Sequence, residues 1–188
     1  MSPAGPLTVI KVGGGLSAQR GALESVGATL SRLGRRHRLL VVPGGGPFAD
    51  AVRAFDARDR LPAETAHWMA ILAMDQYAHV LAHHIAGAAL MEAPAGLAAA
   101  VGPAGVAVLA PYRWLRAADP LPHTWDVTSD SVAAFVAGAL DASRLILIKP
   151  ANGGAELADP CFGSVLPAGL PWCALGWEET GKLEAALG

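Results

Sequence analysis

Leu7-Thr8-Val9-Ile10-Lys11-Val12-Gly13-Gly14-Gly15, answered later by Leu39-Leu40-Val41-Val42-Pro43-Gly44-Gly45-Gly46, decides the fold. Each stretch is an apolar run without alternation, the pattern of a strand covered on both faces. Each then stops at three glycines. Glycine lets the chain turn sharply and removes the Cβ that would hold a ligand away, so successive N–H groups can converge on an anion. Two such loops, the first carrying Lys11 at its strand end, predict a site where two phosphate-like groups meet.

Working outward, Ala22, Val26, Leu30 and Leu33 recur at helical spacing before Gly34, which makes the segment between the two loops a βαβ unit. Pro47 fits the first position of a following helix, and Phe48, Ala51, Val52 and Phe55 give it an apolar stripe. The N–H groups at its start would face whatever sits on the glycines. A long helix over 61–85 enters through Pro62 and buries Trp68, Ile71, Leu72 and Ala78. The alanine- and glycine-rich stretch 86–105 reads as a short strand near Leu90 and a short helix around Leu97. Beyond it come a strand over 106–110, a helical turn at 112–115, and a loop held extended by Pro120 and Pro122. A helix over 130–140 follows, capped by Thr128 or Ser129. The chain then gives strands over 144–148 and 172–175 and a terminal helix over 178–187. Alternating strands and helices predict an α/β chain, a three-layer αβα sandwich with a mostly parallel central sheet. At 188 residues, 1–188 reads as a single domain.

The formal charge of −2 gives no long-range attraction to nucleic acid, and the one basic block, Arg35-Arg36-His37-Arg38, reads as a solvated turn. No apolar run reaches bilayer-spanning length, and the first strand begins too early for a signal segment, so a cytoplasmic chain without membrane partners is expected. Cys161 and Cys173 lack CxxC spacing and read as small hydrophobes in a reducing compartment.

Gly44-Gly45-Gly46-Pro47-Phe48-Ala49 matches a dinucleotide fingerprint, but the acidic residue that pattern needs about twenty positions on would be Glu64, near a helix start rather than a strand end. A Walker loop fails as well, because no lysine followed by Ser or Thr closes either glycine run. Lys11 either snorkels to water from its strand end or, placed directly before three glycines, neutralises charge on a transferring phosphoryl group. Asp130 either caps its helix, orients Lys11 or holds Mg²⁺ through water. Asp75 on the long helix either meets a substrate amine or internal cation, or lies on the helix surface. His79 and His83 have the i, i+4 spacing of metal ligands, but no third ligand is identifiable, so they read as a solvent-facing pair beside His84 and no metal site is assigned. His123 and Trp125 either pack their loop or recognise a small aromatic ring.

Taken in order, Lys11-Val12-Gly13-Gly14-Gly15-Leu16, Pro43-Gly44-Gly45-Gly46-Pro47-Phe48-Ala49 and Thr128-Ser129-Asp130-Ser131 resemble the amino acid kinase superfamily of acetylglutamate, aspartate and uridylate kinases. The likeness runs from about Leu7 to Ile148. Pro43 to Arg53, Met74-Asp75 and His123-Thr124-Trp125 further resemble the small kinases of methanofuran biosynthesis, which act on an aminomethyl-furan methyl phosphate. The resemblance implies an ATP- and Mg²⁺-dependent phosphotransferase. Lys11 and Asp130 would be catalytic, and Gly13, Gly14, Gly15, Gly44, Gly45 and Gly46 would cradle the phosphates. Asp75, His123, Trp125 and Arg53 would hold the substrate, and a homo-oligomer or a place in a hetero-assembly is implied. After the fifth strand the chain departs from the family pattern, reading Lys149-Pro150-Ala151-Asn152-Gly153-Gly154-Ala155 without the usual acidic residues. Lys149 then offers a second phosphate-facing lysine in a shortened nucleotide-binding part over about 149–188. The alternative is a kinase-fold ligand-binding protein or assembly subunit without ATP turnover.

Overall fold

The computed structural model describes residues 5–97, 101–102, 104–150 and 158–187. Six strands, β1 (Leu7–Val12), β2 (Arg38–Pro43), β3 (Ala89–Met91), β4 (Gly105–Leu109), β5 (Arg144–Lys149) and β6 (Trp172–Gly176), form one sheet. Its order is β3-β4-β2-β1-β5-β6, with every pairing parallel. Helices α1 (Ala22–Leu33), α2 (Gly46–Asp59), α3 (Ala63–His84), α4 (Tyr112–Ala118), α5 (Ser129–Ala139), α6 (Phe162–Val165) and α7 (Leu183–Leu187) flank it, giving the expected αβα architecture. No described helix is long and apolar enough to cross a membrane.

The two faces of the sheet are covered by different residues, as strand alternation requires. Leu7 and Val9 of β1 pack with Leu145 and Leu147 of β5 and with Val132 and Val136 of α5 on one face. Ile10 and Val12 pack with Ile146, Ile148 and the α1 stripe of Val26, Leu30 and Leu33 on the other. Each fully buried Val or Leu contributes about 1.5–3 kcal/mol, so the central strands are held from both sides. Lys11 is in phase with Leu7 and Val9, and Lys149 with Leu145 and Leu147. Both lysines therefore emerge on the face covered by α5.

The chain leaves β1 toward β2 on one side and leaves β5 toward β6 on the other. Adjacent strands whose connections diverge open a crevice at their carboxyl ends, where ligands of such sheets bind. Lys11, the first glycine triplet and Lys149 all sit at that crevice, and Gly13 N–H donates to Ile148 C=O at 2.9 Å across it.

The stripe expected on the helix after the second triplet is only partly buried. Ala49 is the residue of α2 that is fully covered, and Phe55 is 42% exposed. The reason is placement: α2 packs on α3 and on the 3-10 turn Gly14–Ala18, over the end of the sheet rather than on its face. The stretch 86–105 gives the short strand near Leu90 as β3, and Pro94–Gly96 forms a 3-10 turn ending at buried Leu97. The terminal helix divides into a 3-10 segment, Trp177–Lys182, and α7. Both cysteines are unpaired.

Candidate active site

Thr128 starts α5: its backbone is extended, and its Oγ1 accepts from Asp130 N–H at 3.4 Å. That cap sets Asp130 in the first helical turn, where the helix dipole favours a carboxylate. Asp130 Oδ1 lies 3.0 Å from Lys11 Nζ, and Oδ2 accepts a hydrogen bond from Lys149 Nζ. All three side chains are nearly inaccessible, at 6%, 8% and 4% for Lys11, Lys149 and Asp130. Burial pushes the Asp130 carboxyl up, but the charges of Lys11 and Lys149 and the Lys149 hydrogen bond outweigh it and hold the group below its ordinary range. Burial pulls the Lys11 amine down, the Lys149 charge adds to this, and the opposing Asp130 does not fully offset it. An ammonium carries three N–H donors, and the contact with Oδ1 at 3.0 Å engages at most one of them. The ammonium therefore keeps donors to direct at an anion, whose arrival would lift the burial penalty.

A second carboxylate anchors this cluster. Asp159 Oδ2 accepts from Thr128 N–H at 2.9 Å, Thr128 Oγ1 at 2.8 Å and Ser131 N–H at 3.0 Å. Its Oδ1 accepts from Ser131 Oγ at 2.5 Å and Cys161 N–H at 3.1 Å. Five donors saturate one carboxylate and tie the start of α5 to the segment before α6. Sequence reasoning missed Asp159. The Asp159-Pro160 dipeptide reads as a turn, and nothing local connects it with Thr128, 31 positions earlier.

The glycine loops touch one another. A Cβ on Gly14 would lie 2.2 Å from Gly46 N, and one on Gly44 would lie 2.3 Å from Gly14 N. Gly46 has φ +55 and packs on the Tyr77 ring, where a Cβ would come within 2.9 Å. Only bare backbone allows this approach, which brings the two glycine loops together.

Lys11, Asp130, Lys149 and the two loops form one end of a cavity of about 830 Å³. Gly13, Gly14, Gly15, Gly45 and Gly46 line it, while Gly44 serves the loop contact. Trp125 and Arg53 line it too: Trp125 Nε1 donates to Asp56 Oδ2 at 2.7 Å, and the Arg53 guanidinium lies 4.8 Å from the Trp125 ring centre. His123 and Asp75 are not brought to the wall. His123 Nε2 lies within hydrogen-bond distance of Asp119 Oδ1, at 2.9 Å, and the ring stacks on His67 at 4.3 Å; it is His67 that lines the cavity. Asp75 Oδ1 accepts from Tyr112 N–H at 2.9 Å. The carboxylate expected to meet a substrate amine instead satisfies the first N–H of α4, and burial pushes its pKa up. His79 and His83 are exposed, and among the described residues no group of three or more metal-ligating side chains converges. Ala151 to Ala155, where the sequence departs from the family pattern, lie outside the described residues.

A parallel sheet with a switch-point crevice, two apposed glycine loops and a paired-lysine cluster define a three-layer αβα protein with a candidate anion-binding site. The amino acid kinase family model matches residues 6–153, and the chain belongs to that family. It is 26% identical over 145 residues to the [5-(aminomethyl)furan-3-yl]methyl phosphate kinase of Methanocaldococcus jannaschii, a match that covers 77% of this chain and 66% of the relative. Among solved structures, the uridylate kinase of Archaeoglobus fulgidus superposes with a TM-score of 0.60 at 17% identity. That match covers 79% of this chain and 65% of the other. The UMP kinase of Ureaplasma parvum gives 0.57 at 15% identity, covering 78% and 70%. The chain thus spans just under two thirds of the curated relative and of the first of these structures.

Proposed function

We propose that the chain is an ATP-dependent phosphotransferase that adds a phosphoryl group to a small phosphorylated metabolite, with an aminomethyl-furan methyl phosphate as acceptor. The observation that carries this reading is the buried Lys11–Asp130–Lys149 cluster at the crevice where the two glycine loops meet. The acceptor's identity rests on the named relative.

ATP, when bound, supplies the γ-phosphoryl group. The donor set fits polyphosphate: two lysines, exposed glycine backbone and the start of α2 face the same space. Mg²⁺ fits as the ion carried by the nucleotide's own phosphates, because Asp130 and Asp159 are already committed to donors. An acceptor phosphate oxygen attacks the γ-phosphorus, the bond to the β-phosphate oxygen breaks, and the products are a diphosphate and ADP. A phosphate monoester has a second pKa of about 6, so it arrives mostly as a dianion and needs no general base. Asp130 accordingly positions the two ammonium groups rather than accepting a proton. Lys11 opposes the charge that spreads over the transferring group, and the glycine N–H groups hold the phosphates in line.

The test is incubation of the chain with ATP, Mg²⁺ and [5-(aminomethyl)furan-3-yl]methyl phosphate, followed by ³¹P NMR. Diphosphate resonances that require all three components are expected. Thermal stabilisation by the furan phosphate with neither a response to ATP nor turnover would overturn the reading in favour of a ligand-binding protein.

A further inference from the structure

The cavity has an order along its length. Helices α2 and α3 run antiparallel, with Gly46 beside Tyr77 at the phosphate end and Asp56 joined to Leu61 N–H at the other. Between these ends α3 presents Met74, Ile71, Ala70 and then His67 to the cavity. Met74 to His67 is seven residues, about 10 Å of helix. A ligand lying there meets a phosphate cradle, an apolar middle and a carboxylate end in sequence.

Among the described residues four carboxylates line the cavity, and three are already answered. Asp130 holds two lysines, Asp159 accepts from five donors, and Asp50 lies 3.5 Å from Arg53. Asp56 differs from all of them. Its Oδ2 accepts from Trp125 Nε1 at 2.7 Å and its Oδ1 from Leu61 N–H at 2.9 Å. Both donors are neutral, each oxygen keeps a lone pair, and among the described residues no Lys, Arg or His nitrogen forms an ion pair with it. A half-buried carboxylate fixed by two neutral N–H groups and left without a cation is preorganised for a cationic ligand group.

The geometry points to Asp56 as the subsite for an ammonium group, selecting phosphate monoesters that carry a primary amine on the far side of a small planar ring. This rests on the phosphotransferase reading for the phosphate end. Trp125 orients the carboxylate and closes the ring slot from the loop side, while Ile71 and Met74 supply its apolar wall. His67, at the same end, is held neutral by burial and by its His123 neighbour, with a pKa lowered to about 4. It therefore adds no positive charge against the incoming amine. Arg53 is drawn off by Asp50 and by the Trp125 ring.

Calorimetric titration of the chain with three compounds tests this: [5-(aminomethyl)furan-3-yl]methyl phosphate, its N-acetyl derivative, and (furan-3-yl)methyl phosphate. The wild type is expected to bind the free amine at least about tenfold more tightly than the other two, the scale of one charge-assisted hydrogen bond. Asp56→Asn is expected to lose that preference while holding (furan-3-yl)methyl phosphate within about twofold, since little else at the phosphate end changes. Equal binding of all three compounds by the wild type overturns the subsite and leaves the phosphotransferase reading standing, whatever the variant does. A preference that survives in Asp56→Asn overturns it equally. Binding of none of the compounds by the wild type removes the acceptor reading, and the subsite falls with it.

Discussion

Lys11 Nζ and Asp130 Oδ1 sit 3.0 Å apart in a buried pair that joins the end of β1 to the start of α5. The same carboxylate also holds Lys149 from β5, so one aspartate compensates two ammonium groups that strand alternation delivers to one face. Removing it takes the shared counter-charge away from two buried lysines. Asp130→Ala is therefore expected to cost about 3–5 kcal/mol of stability, the scale of a broken buried ion pair. The measurement is urea denaturation at neutral pH. A loss below about 1 kcal/mol, typical of exposed pairs, would contradict the buried arrangement.

Lys11→Met separates chemistry from stability. Methionine fills the lysine stem's space and leaves Asp130 paired with Lys149, so the fold should change little. The positive charge facing the transferring phosphoryl group is lost, and kcat is expected to fall by about 10²–10³. Single-turnover phosphotransfer beside a denaturation curve checks both halves. A variant that is folded and fully active would remove Lys11 from the reaction.

Gly14 tests the contact between the loops. A methyl group there would lie 2.2 Å from Gly46 N and 2.6 Å from Gly46 Cα, so Gly14→Ala must drive the second loop away. Overpacking of this kind costs about 1–3 kcal/mol, and affinity for (furan-3-yl)methyl phosphate should fall with it. Gly163 is the control: nothing lies within 4 Å of the added Cβ. Gly163→Ala is expected to stay within about 0.5 kcal/mol of the wild type, with urea denaturation of both variants as the measurement.

The parts that the sequence makes legible are those whose cause is local. β1, β2 and β5 are unalternating apolar runs because both faces are covered, and Lys11 and Lys149 inherit their direction from strand period alone. Asp130 is readable through its cap. The amphipathic stripe of α2 announces a helix but not what covers it, and the helix lies over the sheet end with Phe55 largely uncovered. Asp75 shows the same limit: its partner is a backbone N–H on α4, 37 positions away. Asp56 and Asp159 have one near donor each, Leu61 N–H and Cys161 N–H, but the donors that tie them to the site, Trp125 and Thr128, come from distant segments and leave no local signal.

Asp159 is expected to act through Asp130. Asp159→Ala leaves the Thr128 and Ser131 donors without their acceptor and loosens the start of α5. Unsatisfied donors of this kind cost about 1–3 kcal/mol. Because Asp130 then holds its lysines less firmly, kcat should fall more than KM rises. A loss confined to melting temperature, with kcat unchanged in the folded variant, would leave Asp159 a purely structural cap.

His67 gives the chain an acid-side dependence of stability. Burial first, then the neighbouring His123, lowers its pKa from 6.5 to about 4, against a smaller opposing pull from Asp119. Between those values the unfolded chain binds more protons than the folded one, so stability falls as pH drops from about 6.5 toward about 4. The contribution is fully present above that window. His67→Phe keeps a ring against Trp68 and His123 but cannot titrate, so its denaturation midpoint should decline less over the same range. The imidazole itself can be followed by NMR. A His67 resonance titrating near 6.5 would show that the ring is not held neutral, and the difference between wild type and variant should then vanish.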